Sequence, residues 1–397
     1  MDSMRLKAFV FALGVLGLYG TWGRTIVDGT LSRLLDALHG GKPFIMPGTT
    51  AEPLRTSITG VYWPIDYLLN MLILFFWQAV DGSHPATSAV ALYFAGQHLS
   101  LLTLLYVDSL RYGNVHKRSI GATLWLLIFQ LTAIGTSGPW FTALYLSASP
   151  LSKTTLSLPE YLSLHLASPT SILLLPISAT ISYIIPVILM ALRSPSIVSH
   201  NSKQLAIALW NVFPLVMTAT QWLLRQMLSF LGLSRSLHLP GQPTEAQHLQ
   251  ALRITYAFSL TISCTCHIGI TAISAASVLF PMMFAPAYRS AFRPGKLLLP
   301  PTSWTPVSTF GEGDLGFMKW DETIGYACML FVAGVTFRQA QDRIGQQPGW
   351  ALYYAMFTGC IIGGPGSTAL AISWAKDEML VAAKEVEKAQ GQKSKEV

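Results

Sequence analysis

The stretch Val61–Val107 reads VYWPIDYLLNMLILFFWQAVDGSHPATSAVALYFAGQHLSLLTLLYV. It holds two mostly apolar runs, each close to the roughly 20 residues that cross a hydrocarbon core about 30 Å thick. Between them lies Asp81-Gly82-Ser83-His84-Pro85, where Gly and Ser favour a tight turn and Pro85 suits the first turn of the next helix. The pair reads as an antiparallel helical hairpin. The rest of the chain has the same character. Of 397 residues, 51% are apolar and 11% charged, against about 25% charged in a soluble domain. Mean hydropathy is +0.45. A soluble globular protein, a disordered chain and a disulfide scaffold are excluded. Cys264, Cys266, Cys328 and Cys360 all lie in apolar stretches, and none has zinc-site spacing.

The fold class expected is all-α, a polytopic transmembrane bundle of eight or nine spans. Apolar runs place them at Leu6–Trp22, Val61–Val80, Pro85–Val107, Ile120–Leu144, Ser171–Leu192, Leu205–Leu228, Ile254–Phe284, Thr323–Phe337 and Trp350–Trp374, the eighth being short. Residues 1–22 read as an uncleaved first helix, because no small-x-small site precedes Trp22. Residues 23–60 read as an interfacial amphipathic helix with Val27, Leu31, Leu34, Leu35 and Leu38 on one stripe, closed by Gly40-Gly41 and followed by a loop. Arg289–Trp320, rich in proline, reads as a second irregular loop. Residues 61–375 form the bundle and 376–397 a charged, solvated tail.

The net charge of +7 is scattered between apolar runs, the pattern of loops on an anionic membrane surface and not of nucleic-acid binding. With nine spans, 18 of the 26 Lys and Arg residues fall on the side of the C-terminus. Basic residues gather on the cytosolic side, so the expected topology has a cytosolic C-terminus and a lumenal N-terminus, in the endoplasmic reticulum.

Ionisable groups inside a bilayer mark function by default. Asp66 and Asn70 lie in the second span, Asp81 at its end, Gln97 and His98 in the third, and Asp321 and Glu322 at the start of the eighth. Asp66 and Asp81 are about 22 Å apart along one helix and form no dyad. Depth matching about the Asp81–Pro85 turn sets Asp66, Asn70, Gln97 and His98 at one level with Asp321 and Glu322, which makes Asp66 and Asp321 the acid and base candidates. Simpler roles stand beside these. Asp81 is a turn residue accepting backbone N–H groups, Asp321 an N-cap, Gln97 and His98 interhelical ties. Trp63, Trp77, Tyr93, Trp140 and Trp320 either belong to interfacial belts or line a cavity, where ring faces stabilise a cation. No metal, nucleotide or redox motif is present, which fits a cofactor-free reaction on a lipophilic substrate.

Phe75-Phe76-Trp77-x-x-Val80-Asp81-Gly82-Ser83 running into Pro85, then Ala95-Gly96-Gln97, with Asp66 fourteen residues before Asp81's neighbour and Trp320-Asp321-Glu322 later, carries a resemblance. It resembles the fungal integral-membrane terpene cyclases of meroterpenoid pathways, of the ascochlorin and macrophorin type. Where related sequences read Trp-Pro, this one has Trp77-Gln78. The resemblance implies a class II type cyclase without cofactor. Its substrate would be a linear prenyl chain, often farnesyl, on a phenol or quinone head, protonated at an epoxide or alkene and closed through carbocations. On that reading Asp66 or Asp321 is assigned as the acid, tuned by Asn70 and Gln97, with the other carboxylate as base; the resemblance alone raises Asp81, as a secondary candidate. The rival classes are a transporter of such metabolites and a sterol- or lipid-binding isomerase. Membrane lipid and the prenylated aromatic are the expected partners.

Overall fold

The turn that organises the first hairpin forms as its residues dictate. Gly82 takes φ +85°, a region that side-chain-bearing residues avoid, and the Asp81 carboxylate accepts the Ser83 N–H at 2.7 Å. Burial raises the Asp81 carboxyl above its ordinary value, opposed by the Ser83 hydrogen bonds and by Lys203 nearby. The computed structural model describes residues 3–153, 155–232, 244–347 and 349–393, and its regular elements there are helices. An isolated bridge between Ile45 and Pro53 is the sole β pairing among the described residues.

Helix α1 (Ser3–Leu18) continues through a π-helical turn, Tyr19–Gly23, into Arg24–Val27. The amphipathic α2 (Thr30–His39) ends at Gly40. The hairpin is α3 (Trp63–Val80) and α4 (Pro85–Leu110). Then come α5 (Ala122–Thr132), α6 (Ile134–Ala148), α7 (Leu158–His165) and α8 (Pro169–Ala179), the last prolonged to Ala191. The chain closes with α9 (His200–Asn211), α10 (Phe213–Phe230), α11 (Glu245–Leu279), α12 (Phe310–Arg343), α13 (Ala351–Ile362) and α14 (Pro365–Lys393). At the centre, α4 packs on α3, α11, α12 and α14, while α12 packs on α3, α4, α6 and α14.

Five helical segments are long and apolar enough to cross a membrane: Ala8–Val27, Trp63–Val80, Pro85–Leu110, Pro169–Ala191 and Glu245–Leu279. The α9–α10 pair makes six if its two parts count as one. This corrects the expected eight or nine, and each difference has a local cause. The run Ile120–Leu144 breaks at Ala133, which sits at φ +73°. The run Leu205–Leu228 bends by 75° between α9 and α10, where Pro214 cannot continue the hydrogen-bond ladder. The run Trp350–Trp374 breaks at Gly363-Gly364. Thr323–Phe337 is the middle of the 34-residue α12, whose first half carries Glu312, Asp314, Lys319, Asp321 and Glu322. Arg289–Trp320 is accordingly helical from Phe310 onward.

The α13–α14 break is patched by Gln97 of α4. Its amide donates to Ser263 O at 2.9 Å and Gly363 O at 3.2 Å, and its carbonyl accepts from Gly366 N at 2.8 Å. Gly364 lies at φ +88°, and a Cβ there would stand 2.6 Å from Gln97 Oε1. Gly364→Ala is expected to destabilise the fold by at least about 1–2 kcal/mol, from the left-handed backbone alone. The check is the melting temperature of detergent-solubilised protein; an unchanged value would show that the break does not require glycine.

At the end of α4 remote from the turn, Arg111 donates to Asp108 at 2.7 Å and to Asp377 of α14 at 3.0 Å. Asp377 also meets His165 at 2.6 Å and accepts from the Tyr256 hydroxyl at 3.0 Å. Lys376 and Asp377 are buried, so α14 carries core structure across the boundary drawn at residue 375.

Candidate active site

One face of α3 repeats Leu68, Met71, Leu72, Phe75 and Phe76, at the spacing that puts side chains on one helical stripe. It meets Phe317, Met318 and Asp321 of α12 across a narrow cavity. Trp22, Phe94, Phe129 and Trp210 complete an aromatic wall. The rings brace one another edge to face: Trp22 on Phe317 with centroids 5.6 Å apart, Phe75 on Phe317 at 5.1 Å, Phe76 on Trp210 at 5.4 Å. Among the described residues, Asp321 is the one ionisable side chain lining this space.

The broken helix positions that carboxyl. Because α5 stops at Thr132 and α6 starts at Ile134, the first N–H groups of α6 have no intrahelical acceptor. Asp321 takes the Gly135 N–H at 2.6 Å, with the Ile134 N–H also directed to it. Gly135 permits the approach, since a Cβ there would lie 3.1 Å from Asp321 Cα and 3.3 Å from Oδ1. A helix N-terminus favours the carboxylate, so the negative charge left when a proton departs has donors already in place. Aromatic faces opposite it suit a cation. The site can therefore hold a proton donor and a positive charge in one apolar space.

The other residues singled out from sequence lie elsewhere. The Asp66 carboxylate is clasped by three backbone donors of the preceding loop: Ile58 N at 3.1 Å, Thr59 N at 2.6 Å and Gly60 N at 3.1 Å. It does not line the cavity, and Asp66 and Asp321 are not brought together. The loop over 56–60 folds back onto α3, and Asn70 joins this closure by donating to Thr56 O at 3.2 Å. Asp66→Ala is expected to loosen this loop and lower thermal stability. Limited proteolysis between residues 50 and 62 reads it; unchanged cleavage would show the clasp to be dispensable.

Asp81 occupies the turn. Glu322 is buried beside Asp321, with Oε2 unpartnered among the described residues. His98 is stacked between Phe94 at 5.5 Å and Tyr183 at 5.8 Å. Trp63 and Trp140 are exposed on the outer surface. Trp77 donates to Pro47 O at 2.8 Å, Trp320 donates to Pro301 O at 2.9 Å, and the Tyr93 hydroxyl approaches His267 Nδ1 at 3.3 Å. Gln78 accepts the Gly311 N–H at 2.7 Å, which fastens the start of α12 to the hairpin turn.

Asp314 lies in the segment that reads from sequence as an irregular loop, so no ionisable-in-membrane signal marks it. It is fully buried, seven residues before Asp321 on nearly the same face of α12, and both its oxygens are unpartnered among the described residues. The α3 stripe was readable in principle as Leu68-x-x-Met71-Leu72-x-x-Phe75-Phe76. However, α3 is apolar on most sides, so periodicity alone does not single out that face.

A carboxyl held by a helix N-terminus thus faces an aromatic cavity in which, among the described residues, no other side chain is ionisable. The chain belongs to the CtvD domain family, whose match covers residues 5–381, and it has the activity class of a terpene cyclase. It is 28% identical to the terpene cyclase ctvD of Aspergillus terreus over 389 residues, 94% of this chain and 100% of that one. It is 28% identical to the terpene cyclase penA of Penicillium crustosum, covering 81% of this chain and 83% of that one. It is 26% identical to the terpene cyclase ascI of Acremonium egyptiacum, covering 82% and 81%. No solved structure matches the chain.

Proposed function

We propose that this protein is a membrane-embedded class II type cyclase in which Asp321 protonates the terminal epoxide or alkene of a prenylated phenol or quinone. The observation that carries this reading is the Asp321 carboxyl, fixed at the start of α6 and open to the aromatic cavity. Protonation opens the epoxide or charges the alkene, neighbouring double bonds close rings onto the cation, and the last cation gives up one proton to solvent, from which the Asp321 carboxylate regains the proton it donated. Substrate and product are isomers. Trp22, Phe75, Phe76, Phe94, Phe129, Trp210 and Phe317 present ring surfaces to the migrating charge and leave little room for water, which would otherwise trap it. Microsomes containing the protein, given an epoxyfarnesyl phenol, are expected to return a ring-containing product of unchanged mass. Recovery of substrate alone, from folded protein and across phenol and quinone heads, would overturn the proposal.

The five long apolar segments support placing the protein in a membrane; that of the endoplasmic reticulum, with a cytosolic C-terminus favoured by the basic residues, completes the proposal. A protease-cleavable C-terminal tag is expected to be cut in intact microsomes. Protection of the tag until detergent is added would reverse the orientation.

A further inference from the structure

A second, small cavity adjoins the first. Phe129 lines both, while Ala133 lines the first and Ile134 the second. Its middle is apolar, but its far end is not. There Lys376 and Ser373, one turn apart on α14, face the space together with Asp108 and Tyr145. Tyr145 donates its hydroxyl to Asp108 at 2.9 Å and is thereby committed. The Lys376 ammonium and the Ser373 hydroxyl are different. Both residues are more than nine-tenths buried, and neither group makes a hydrogen bond among the described residues; the ammonium comes no nearer than 3.9 Å to Asp377 Oδ1. Both residues line the cavity.

We infer that this second cavity holds the oxygen-bearing aromatic head of the prenylated substrate, with the Lys376 ammonium and the Ser373 hydroxyl on a phenolic or quinone oxygen. The inference rests on the cyclase reading above and adds the direction in which the substrate lies. Charge selects the class of head. Two cations, Lys376 and Arg111, are already matched by two carboxylates, Asp108 and Asp377. A neutral or weakly acidic oxygen fits such a balanced cluster, whereas a diphosphate would bring several uncompensated negative charges. Geometry selects the tail. Asp321 and Thr336 line the two cavities from one helix, fifteen residues or roughly 22 Å apart, so an elongated molecule is needed to reach both ends. The prenyl chain would pass Phe129, which lines both spaces, and its far end would then lie among the aromatic rings beside Asp321. The ammonium would repel a carbocation, and this arrangement keeps the two apart.

The test is equilibrium binding of farnesylhydroquinone, which has no epoxide, and of its dimethyl ether to the protein in lipid nanodiscs. The hydroquinone is expected to bind about ten-fold tighter than the ether, and Lys376→Met to remove that difference by weakening only the hydroquinone. Lys376→Arg should restore part of it, and farnesyl diphosphate should compete poorly. Equal binding of both probes to wild-type protein, or an unchanged preference in a Lys376→Met variant of normal melting temperature, would overturn the inference, as would strong competition by the diphosphate. Should Lys376→Met fail to fold, Ser373→Ala is expected to reduce the same preference about three-fold, and no reduction would count against the site. Lys376-dependent binding without cyclisation of the epoxide would sink the cyclase reading and leave the head site standing. Cyclisation without any dependence on Lys376 or Ser373 would do the reverse.

Discussion

Asp321→Asn is expected to reduce cyclisation by about 10²- to 10⁴-fold, the range that a positioned proton donor contributes, while leaving the protein folded. The two halves of that outcome have separate causes. The asparagine carbonyl still accepts the Gly135 N–H that the carboxyl takes at 2.6 Å, so the α5–α6 break and the cavity wall stay in place. The amide has no proton acidic enough to open an epoxide. Asp321→Glu keeps the acid but lengthens it by a methylene beside a backbone already in close contact, so it is expected to retain a small fraction of activity. Initial rates on an epoxyfarnesyl phenol, normalised to folded protein, are the measurement. A wild-type rate in Asp321→Asn would remove the acid from the cavity and end the mechanism.

The largest effect on stability is expected at Asp377, far from that chemistry. Its carboxylate is shared by Arg111 at 3.0 Å, His165 at 2.6 Å and Tyr256 at 3.0 Å, and both it and Arg111 are almost wholly inaccessible. Removing one partner of such a pair leaves a buried charge uncompensated, at a cost of about 3–5 kcal/mol. Asp377→Ala is therefore expected to abolish accumulation of folded protein at growth temperature, and Asp377→Asn to do so in part. Fluorescence-detected size exclusion in detergent reads both. A monodisperse Asp377→Ala peak at wild-type yield would mean that water or lipid reaches the cluster.

Two of the three helix breaks are taken up by side chains. In transporters, broken helices aim their free backbone groups at a cargo. Here Asp321 takes up the donors freed at Ala133, and Gln97 satisfies the Gly363 carbonyl and the Gly366 and Ser367 N–H groups. The first of these arrangements is what turns an ordinary structural break into a holder for an acid.

Composition and the Val61–Val107 hairpin were enough to establish an apolar, all-helical chain, because a deficit of charge and unbroken apolar runs admit little else. Asp321 was legible too, as one of few carboxyls in such surroundings. The sequence could not show its company. Depth matching paired it with Asp66 on the assumption of straight helices and an open loop, whereas residues 56–60 fold over and occupy Asp66 with backbone N–H groups. Span counting failed at Ala133, Val212 and Gly364, where local backbone geometry interrupts runs whose hydropathy is continuous. The rings of the cavity were hidden for a related reason: a helix apolar on most sides carries no stripe to say which face is inward. Which aromatics meet Asp321, and which helix end holds it, were decided by packing between segments far apart in the chain.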